Sequence, residues 1–435
     1  MIYHVIKLDN MIMIKIMYRG ETHLKNTNHP LSEPLALPNG AKIKNRFFKS
    51  AMSEALGTNN HNSSPALVTL YKTWADGGTG LVVTGNVMID RNALGESGNV
   101  VIEDERDLDV LSEWAKTGTR NGTHLWMQLN HPGKQSPRTL SKTPVAPSAI
   151  PLSGSLKKFF NEPRALTEED IQGLVTRFGK AASVAQKAGF TGVQIHGAHG
   201  YLISQFLSPN HNRRSDKWGG NLENRMRFLL EVYQEIRKQT GENFPIGIKL
   251  NSADFQRGGF TEEESLEVIR KLAQAGIDLI EISGGNYENP MMQGANVKES
   301  TKKREAYFLE FAAKVREIVS TPLVVTGGFR SEKAMTDAVA QGEIDMVGIA
   351  KPLALIPDLP NQIFQGTYET IKLKPMKTGL KWLDKSASML EIVWYEQQLA
   401  RMGNSKPPKP DYSVWRALLQ TVTTNGTAVF KKRRG

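Results

Sequence analysis

Apolar residues along the chain come in short runs, each preceded by an amphipathic stretch and followed by a polar or glycine-rich loop. "QKAGFTGVQIHG" (186–197), "AQAGIDLIEISGG" (273–285) and "AQGEIDMVGIA" (340–350) are three versions of one phrase. Thr167 with Asp170, and Thr261 with Glu264, have the spacing of capping boxes, in which the threonine oxygen accepts from an orphan amide three residues on. Gly189 and Gly276 stand where a left-handed residue ends a helix. Further apolar runs are "RFFKSAM" (46–52), "GLVVTG" (80–85), "HLWMQL" (124–129), "PIGIKL" (245–250) and "PLVVTGG" (322–328). With the three phrases they predict eight strands. In chain order these are β1 (46–52), β2 (80–85), β3 (124–129), β4 (within 186–197), β5 (245–250), β6 (within 273–285), β7 (322–328) and β8 (within 340–350).

Such runs of Val, Ile and Leu, mostly separated by helical patterns, read as parallel strands covered on both faces. Eight units predict an α/β fold, a (β/α)8 barrel, rather than an open doubly wound sheet. No G-x-G-x-x-G turn follows the first strand, which argues against a dinucleotide-binding half. Residues 1–28 are expected to form an irregular extension, 29–360 the barrel, and 361–435 a helical extension ending in the basic tail "KKRRG". A long Pro- and Ser-rich excursion, 130–166, leaves β3 in the position of a functional lid.

In a barrel the chemistry sits at the C-terminal ends of the strands. Ser50, Ala51, Met52 and Ser53 follow β1, Gly85 and Asn86 follow β2, and Gln128 ends β3. His196 ends β4, with His199 and Tyr201 in its loop, and Lys249 ends β5. Gly327 and Gly328 follow β7, and Ala350 and Lys351 close β8. The β7 and β8 loops are where many barrels bind phosphate, through glycine amides and a nearby cation. The other ends supply an amide, a hydroxyl, a cation and two imidazoles. Together they make a hydrogen-bonding rim for a flat heterocycle with a phosphate tail, a shape that flavin mononucleotide (FMN) fits.

Composition narrows the chemistry. The 435 residues contain no cysteine, which removes disulfides, thiolate metal sites, iron–sulfur clusters and thiol nucleophiles. No metal site is expected. The formal charge of +11 is carried partly by the terminal basic run, with no aromatic-interleaved basic stretch of the kind that binds nucleic acid. Lys7, Asp9 and Lys15 break the apolar start, and no uncharged run reaches the roughly 18 residues that span a bilayer. These features lead us to expect a cytoplasmic protein with a small-molecule substrate, without nucleic-acid or membrane partners, and with a homo-oligomer left open.

The stretch "GVQIHGAHGYLISQFLSPNHNRRSDKWGGNLENRMRFLLEV" (192–232) resembles the defining segment of the Old Yellow Enzyme family of FMN-dependent ene-reductases. "MQLNHPGKQ" (127–135), "PVAPSAI" (144–150), "IKLNSADFQRGGF" (248–260) and "DMVGIAKPL" (345–353) fit the same family in the same order. The resemblance implies FMN as cofactor and NADH or NADPH as electron donor. It implies that His196 and His199 bind the carbonyl oxygen of an α,β-unsaturated substrate and that Tyr201 donates a proton to the α-carbon. Lys249 would lie at the flavin N1–C2 edge, Gln128 at the pyrimidine edge, and Ser53 beside the C4 carbonyl. Ala51, Met52 and Asn86 would line the flavin, and Gly327, Gly328, Ala350 and Lys351 would hold its phosphate. Relatives often have arginine where this chain has Lys249 and Lys351, and glycine where it has Ala350; lysine keeps the charge without the bidentate fork.

Other readings of the same residues are a tRNA-modifying barrel of the dihydrouridine-synthase type and a flavin-dependent demethylase or dehydrogenase relative. The first uses a catalytic cysteine, and this chain has none.

Overall fold

A computed structural model describes residues 4–8, 11–15, 29–289, 305–372, 376–380 and 387–425. The eight strands close into a parallel barrel. Their bounds are β1 Phe47–Lys49, β2 Leu81–Met88, β3 His124–Asn130 and β4 Gly192–Gly197. The others are β5 Ile246–Asn251, β6 Leu279–Ser283, β7 Leu323–Thr326 and β8 Met346–Ile349. Each pairs in parallel with its neighbour, and Val347 opposite Phe47 joins β8 to β1.

Helices cover the outside: α1 Pro65–Asp76, α2 Leu108–Gly118, α3 Glu168–Lys187, short α4 Leu202–Leu207, α5 Leu222–Thr240 and α6 Glu262–Ala275. They continue with α7 Leu309–Arg316, α8 Glu332–Ala340, α9 Leu359–Gln365, α10 Ala387–Gly403 and α11 Val414–Asn425. Both capping boxes form, Thr167 with Asp170 on α3 and Thr261 with Glu264 on α6. Gly276 ends α6 at φ +91°.

The barrel interior is filled at its lower end by Phe48, Leu81, Val83, Trp126, Leu279, Val324 and Met346, all fully buried. Trp126 fits because its strand neighbours carry glycine: a Cβ on Gly192 would come within 2.5 Å of the indole, and one on Gly247 within 2.7 Å. The larger apolar layer lies between strands and helices. This packing plugs the barrel and leaves its other end open for chemistry.

Two expectations change. His4–Leu8 and Met11–Lys15 pair as an antiparallel hairpin where irregular chain was expected, since two β-prone runs flank Asp9-Asn10. The boundary set at 360 falls inside α9, because Pro360 sits in its first turn, where proline costs no hydrogen bond. The excursion after β3, expected in the position of a lid, is anchored at its start, where His131, Lys134, Gln135 and Ser136 are all buried. Within it, Val145–Ala146 pairs with Arg164–Ala165.

The signature segment after Tyr201 does structural work. Arg214 holds Asp216 together with the carbonyls of Pro147 and Leu166, tying the β4 loop to the excursion. Asn221 caps α5, whose face Met226, Leu229, Tyr233 and Ile236 is buried. Among the described residues no helix is long and apolar enough to cross a membrane.

Candidate active site

The C-terminal strand ends converge on one open cavity of about 1040 Å3 counted to its mouth. Eleven of the fifteen residues singled out from the sequence line it: Ala51, Met52, Ser53, Asn86, Gln128, His196, His199, Tyr201, Lys249, Ala350 and Lys351. The remaining four are not among its lining residues. Ser50 is fully buried with its Oγ 2.7 Å from Thr326 Oγ1. Gly85 donates its amide to Tyr71 Oη at 3.0 Å and to Glu54, part of a buried cluster around Lys49. Gly327 and Gly328 are packed against Ala306 and Tyr307; a Cβ on Gly328 would lie 2.8 Å from the Ala306 amide.

Side chains that alternate inward on five adjacent strands, β3 to β7, link beneath the cavity into one polar chain. Gln128 Nε2 donates to Gln194 Oε1 at 2.7 Å, and Gln194 Nε2 donates to Glu281 Oε2 at 2.7 Å. Glu281 Oε1 in turn meets Lys249 Nζ at 3.0 Å and accepts from Thr326 Oγ1 at 2.7 Å. Gln194 and Glu281 are completely enclosed, so their charge and dipoles fix Gln128 and Lys249 in place. Each of those two reaches the cavity wall with hydrogen-bonding capacity left: the Gln128 amide oxygen and further ammonium hydrogens of Lys249.

His196 and His199 stand with ring centroids 5.1 Å apart, and Tyr201 lies edge-on to His196 at 4.8 Å. His196 Nδ1 accepts from the Ala198 amide at 3.3 Å, which places the ring hydrogen on Nε2. His199 Nε2 meets Ser283 Oγ at 2.8 Å, and its own amide donates to Asn251 Oδ1 at 3.2 Å. His199 holds φ +62°, a conformation rare outside glycine and the short polar residues. Burial, with Lys249 nearby, pushes both imidazoles well below their usual pKa, so both are neutral donors near pH 7. For Tyr201 burial, reinforced by Tyr287, pushes the phenol well above 10 and keeps it protonated.

The sequence reading missed five wall residues: Glu96, Tyr287, Glu391, Ile392 and Tyr395. Glu96 follows β2, Tyr287 follows β6, and the other three come from α10, far beyond the last strand. Ser53 Oγ reaches Glu96 Oε2 at 2.5 Å and Glu396 Oε1 at 2.9 Å, and one hydroxyl hydrogen serves one acceptor at a time. Lys351 Nζ pairs with Glu391 at 2.8 Å and lies 5.9 Å from the centroid of the Tyr395 ring. At the start of α8 the Glu305 carboxylate accepts from the amides of Arg330 at 2.7 Å and Ser331 at 3.0 Å. For α10 the sequence offered only the helical pattern of "SASMLEIVWYEQQLARM" (386–402), within the helical extension expected over 361–435.

A closed barrel whose open end combines an amide, a buried cation and neutral imidazole donors defines a flavin-binding barrel oxidoreductase. The chain belongs to the NADH:flavin oxidoreductase / NADH oxidase family, whose model matches residues 30–370, and so to the Old Yellow Enzyme group of FMN-binding oxidoreductases. It is 37% identical over 362 residues to the NADH-dependent flavin oxidoreductase iliE of Hypocrea jecorina, covering 76% of this chain and 88% of that one. It spans 46% of the like-named protein of Neonectria sp.. Among solved structures, a 2-naphthoyl-CoA reductase is similar at 29% identity and TM-score 0.72, over 78% of this chain and 52% of that one. An Old Yellow Enzyme homologue from Zymomonas mobilis shares the fold at TM-score 0.67 and 24% identity, over 79% and 94%.

The residues present fit FMN. The pyrimidine edge of a flavin offers one N–H and several acceptors, and the free amide and ammonium capacity of Gln128 and Lys249 matches it. Lys351 brings a second ammonium to the cavity wall, where it pairs with Glu391.

Proposed function

We propose that this protein is an NAD(P)H-dependent ene-reductase that reduces the C=C bond of α,β-unsaturated carbonyl compounds. The observation carrying the reading is the set of three neutral donors, His196, His199 and Tyr201, on one wall of the cavity beside Gln128 and Lys249. The similar 2-naphthoyl-CoA reductase is named for a thioester whose carbonyl is conjugated to an aromatic ring, which supports a conjugated carbonyl as the substrate class.

When bound, FMN supplies hydride, taken first from the nicotinamide. Gln128 and Lys249 would hold the flavin ring, with Lys249 supplying positive charge at that edge. Asn86, Ala51, Met52 and Ser53 would line it, and Ala350 and Lys351 would hold its phosphate. His196 and His199 hydrogen-bond the substrate carbonyl. As hydride reaches the β-carbon, negative charge develops on that oxygen, and fixed donors lower the barrier by a few kcal/mol each. Tyr201 gives its proton to the α-carbon. One site serves nicotinamide and enone in turn, a ping-pong cycle that needs no separate dinucleotide fold.

The test is a visible absorption spectrum of the purified protein, followed by anaerobic NADH or NADPH and then cyclohexenone. Flavin bands that bleach with nicotinamide and return with the enone are the expected result. Bands that bleach but stay bleached with the enone reject the substrate class. A colourless protein that takes up no added FMN rejects the whole reading.

A further inference from the structure

The loop after β6 brings a second phenol to the proton donor. Tyr287 Oη lies 2.8 Å from Tyr201 Oη, with the rings edge-to-face at 5.8 Å. The two differ in access to water: Tyr201 is 6% exposed and Tyr287 is 37% exposed.

The backbone on both sides of Tyr287 is pinned. Gly285 accepts from Asn251 Nδ2 at 2.9 Å and donates to the Ala253 carbonyl at 3.1 Å. Asn286 bridges to His199 and closes a turn through its own amide, which donates to the Asn289 carbonyl at 3.0 Å. Glu288 accepts from the Ser153 amide at 2.8 Å. Phe160, from the excursion after β3, packs on the Tyr287 ring at 6.4 Å. The loop that carries Tyr287 is thus tied to three other segments, and Phe160 packs on its ring, so the phenol is placed, not incidental.

Carbon protonation leaves the acid as an anion that must be stabilised and recharged. Around Tyr201 Oη the described residues supply two hydrogen-bond partners, Tyr287 Oη and, at 3.5 Å, Asn86 Nδ2. An amide can steady a phenolate but does not pass a proton on at neutral pH. A phenol can do both. Burial pushes the Tyr287 phenol up to about 12 and the Tyr201 phenol well above 10, so both carry a proton at neutral pH, and the hydroxyls already share a hydrogen bond at 2.8 Å.

We propose that Tyr287 is the positioning residue through which Tyr201 is reprotonated, the two hydroxyls forming a relay from cavity water to the α-carbon. The proposal rests on the ene-reduction reading. Hydride from the dihydroflavin brings both electrons to the β-carbon, and the alkene π pair becomes that of an enolate whose oxygen lies on His196 and His199. The enolate pair then forms the new α-C–H bond with the Tyr201 proton as the carbonyl is restored. The Tyr201 O–H pair stays on oxygen as phenolate, the Tyr287 O–H breaks to return a proton to it, and Tyr287 takes one from solvent. The sum is one hydride and one solvent proton added across C=C.

The experiment follows the oxidation of pre-reduced holoenzyme by cyclohexenone in H2O and D2O. It compares wild type, Tyr201→Phe, Tyr287→Phe, Tyr287→Gln and the Tyr201→Phe/Tyr287→Phe double variant. Removing the Tyr287 hydroxyl is expected to slow this half-reaction by about tenfold or more and to enlarge its solvent isotope effect. Flavin reduction by nicotinamide stays unchanged. Tyr287→Gln, which can hydrogen-bond but not relay, should be as slow as Tyr287→Phe, and the double variant no slower than Tyr201→Phe. Wild-type rates in Tyr287→Phe, recovery in Tyr287→Gln, equal loss in both half-reactions, or multiplicative losses in the double variant would each overturn the relay. Reduced wild type that ignores the enone fails the ene-reduction reading instead. If Tyr287→Phe loses its flavin, Tyr287→Gln carries the same comparison.

Discussion

The role proposed for His196 and His199 in ene-reduction needs neutral imidazoles, and enclosure keeps both well below their usual pKa. A neutral imidazole gives one hydrogen bond from a fixed nitrogen, and the Ala198 amide on His196 Nδ1 decides which. Substituting either histidine by alanine is expected to slow enone reduction about 100-fold and to weaken binding of a phenol ligand. Flavin reduction by nicotinamide should change far less; stopped-flow comparison of the two half-reactions checks this. Equal loss in both halves would count against the carbonyl-binding role. A second residue-scale prediction concerns Gly328, at φ +101° with the Ala306 amide where a Cβ would go. Gly328→Ala is expected to lower the melting temperature measurably, because the loop must move and the new residue is strained. His196, His199 and Tyr201 were legible in the sequence because a β4 strand end marks them. Tyr287 and Glu96 were not, since a lone tyrosine or glutamate in a loop carries no spacing signal.

At the scale of elements, α10 does most to change the site. Val393, Trp394 and Leu399 are buried, with Trp394 Nε1 donating to the Tyr412 carbonyl at 2.7 Å, and the helix packs against α1. Gly403 sits where a Cβ would meet the Ala66 carbonyl at 2.7 Å. Glu391, Ile392 and Tyr395 thereby become cavity wall. Trp394→Ala should cost about 3–5 kcal/mol by chemical denaturation, through the cavity it leaves. In the proposed FMN site, the pairing of Lys351 with Glu391 would set a phosphate in competition with a carboxylate for the same ammonium. Glu391→Gln is therefore expected to tighten FMN binding relative to riboflavin, read by quenching of flavin fluorescence. An unchanged ratio would show that Lys351 does not meet the phosphate. The periodicity of 386–402 announced a helix; nothing in it announced where the helix would lie.

Across the whole molecule, buried histidines tie stability to pH. An imidazole in the unfolded chain titrates near 6.5, whereas burial lowers His131 and His211 to about 4 and holds His196 and His199 well below their usual value. Below pH 6.5 the unfolded chain therefore binds more protons than the folded one, and stability falls as pH falls toward 4. His131 lies outside the cavity wall, and its Nδ1 accepts from the Gly133 amide at 3.1 Å, a contact that asparagine can imitate. His131→Asn should reduce the slope of unfolding free energy between pH 6 and 5 by about 1 kcal/mol per pH unit. Denaturant titrations at several pH values measure it directly; an unchanged slope would mean that His131 titrates alike in both states.

The sequence by itself determined the eight-strand order, the caps that start α3 and α6, and the strand-end residues, because strand burial, capping and loop placement are set by local pattern. Only the tertiary structure decided which strand-end residues face the cavity. Gly85 braces the Glu54–Tyr71 cluster, Ser50 meets Thr326, and the β7 glycines meet Ala306 and Tyr307. It also decided that Tyr287 meets Tyr201, 86 residues away, and that Glu396 meets Ser53, 343 residues away. Those contacts depend on how the barrel closes and where its last helix packs, and no periodicity within a single segment encodes either.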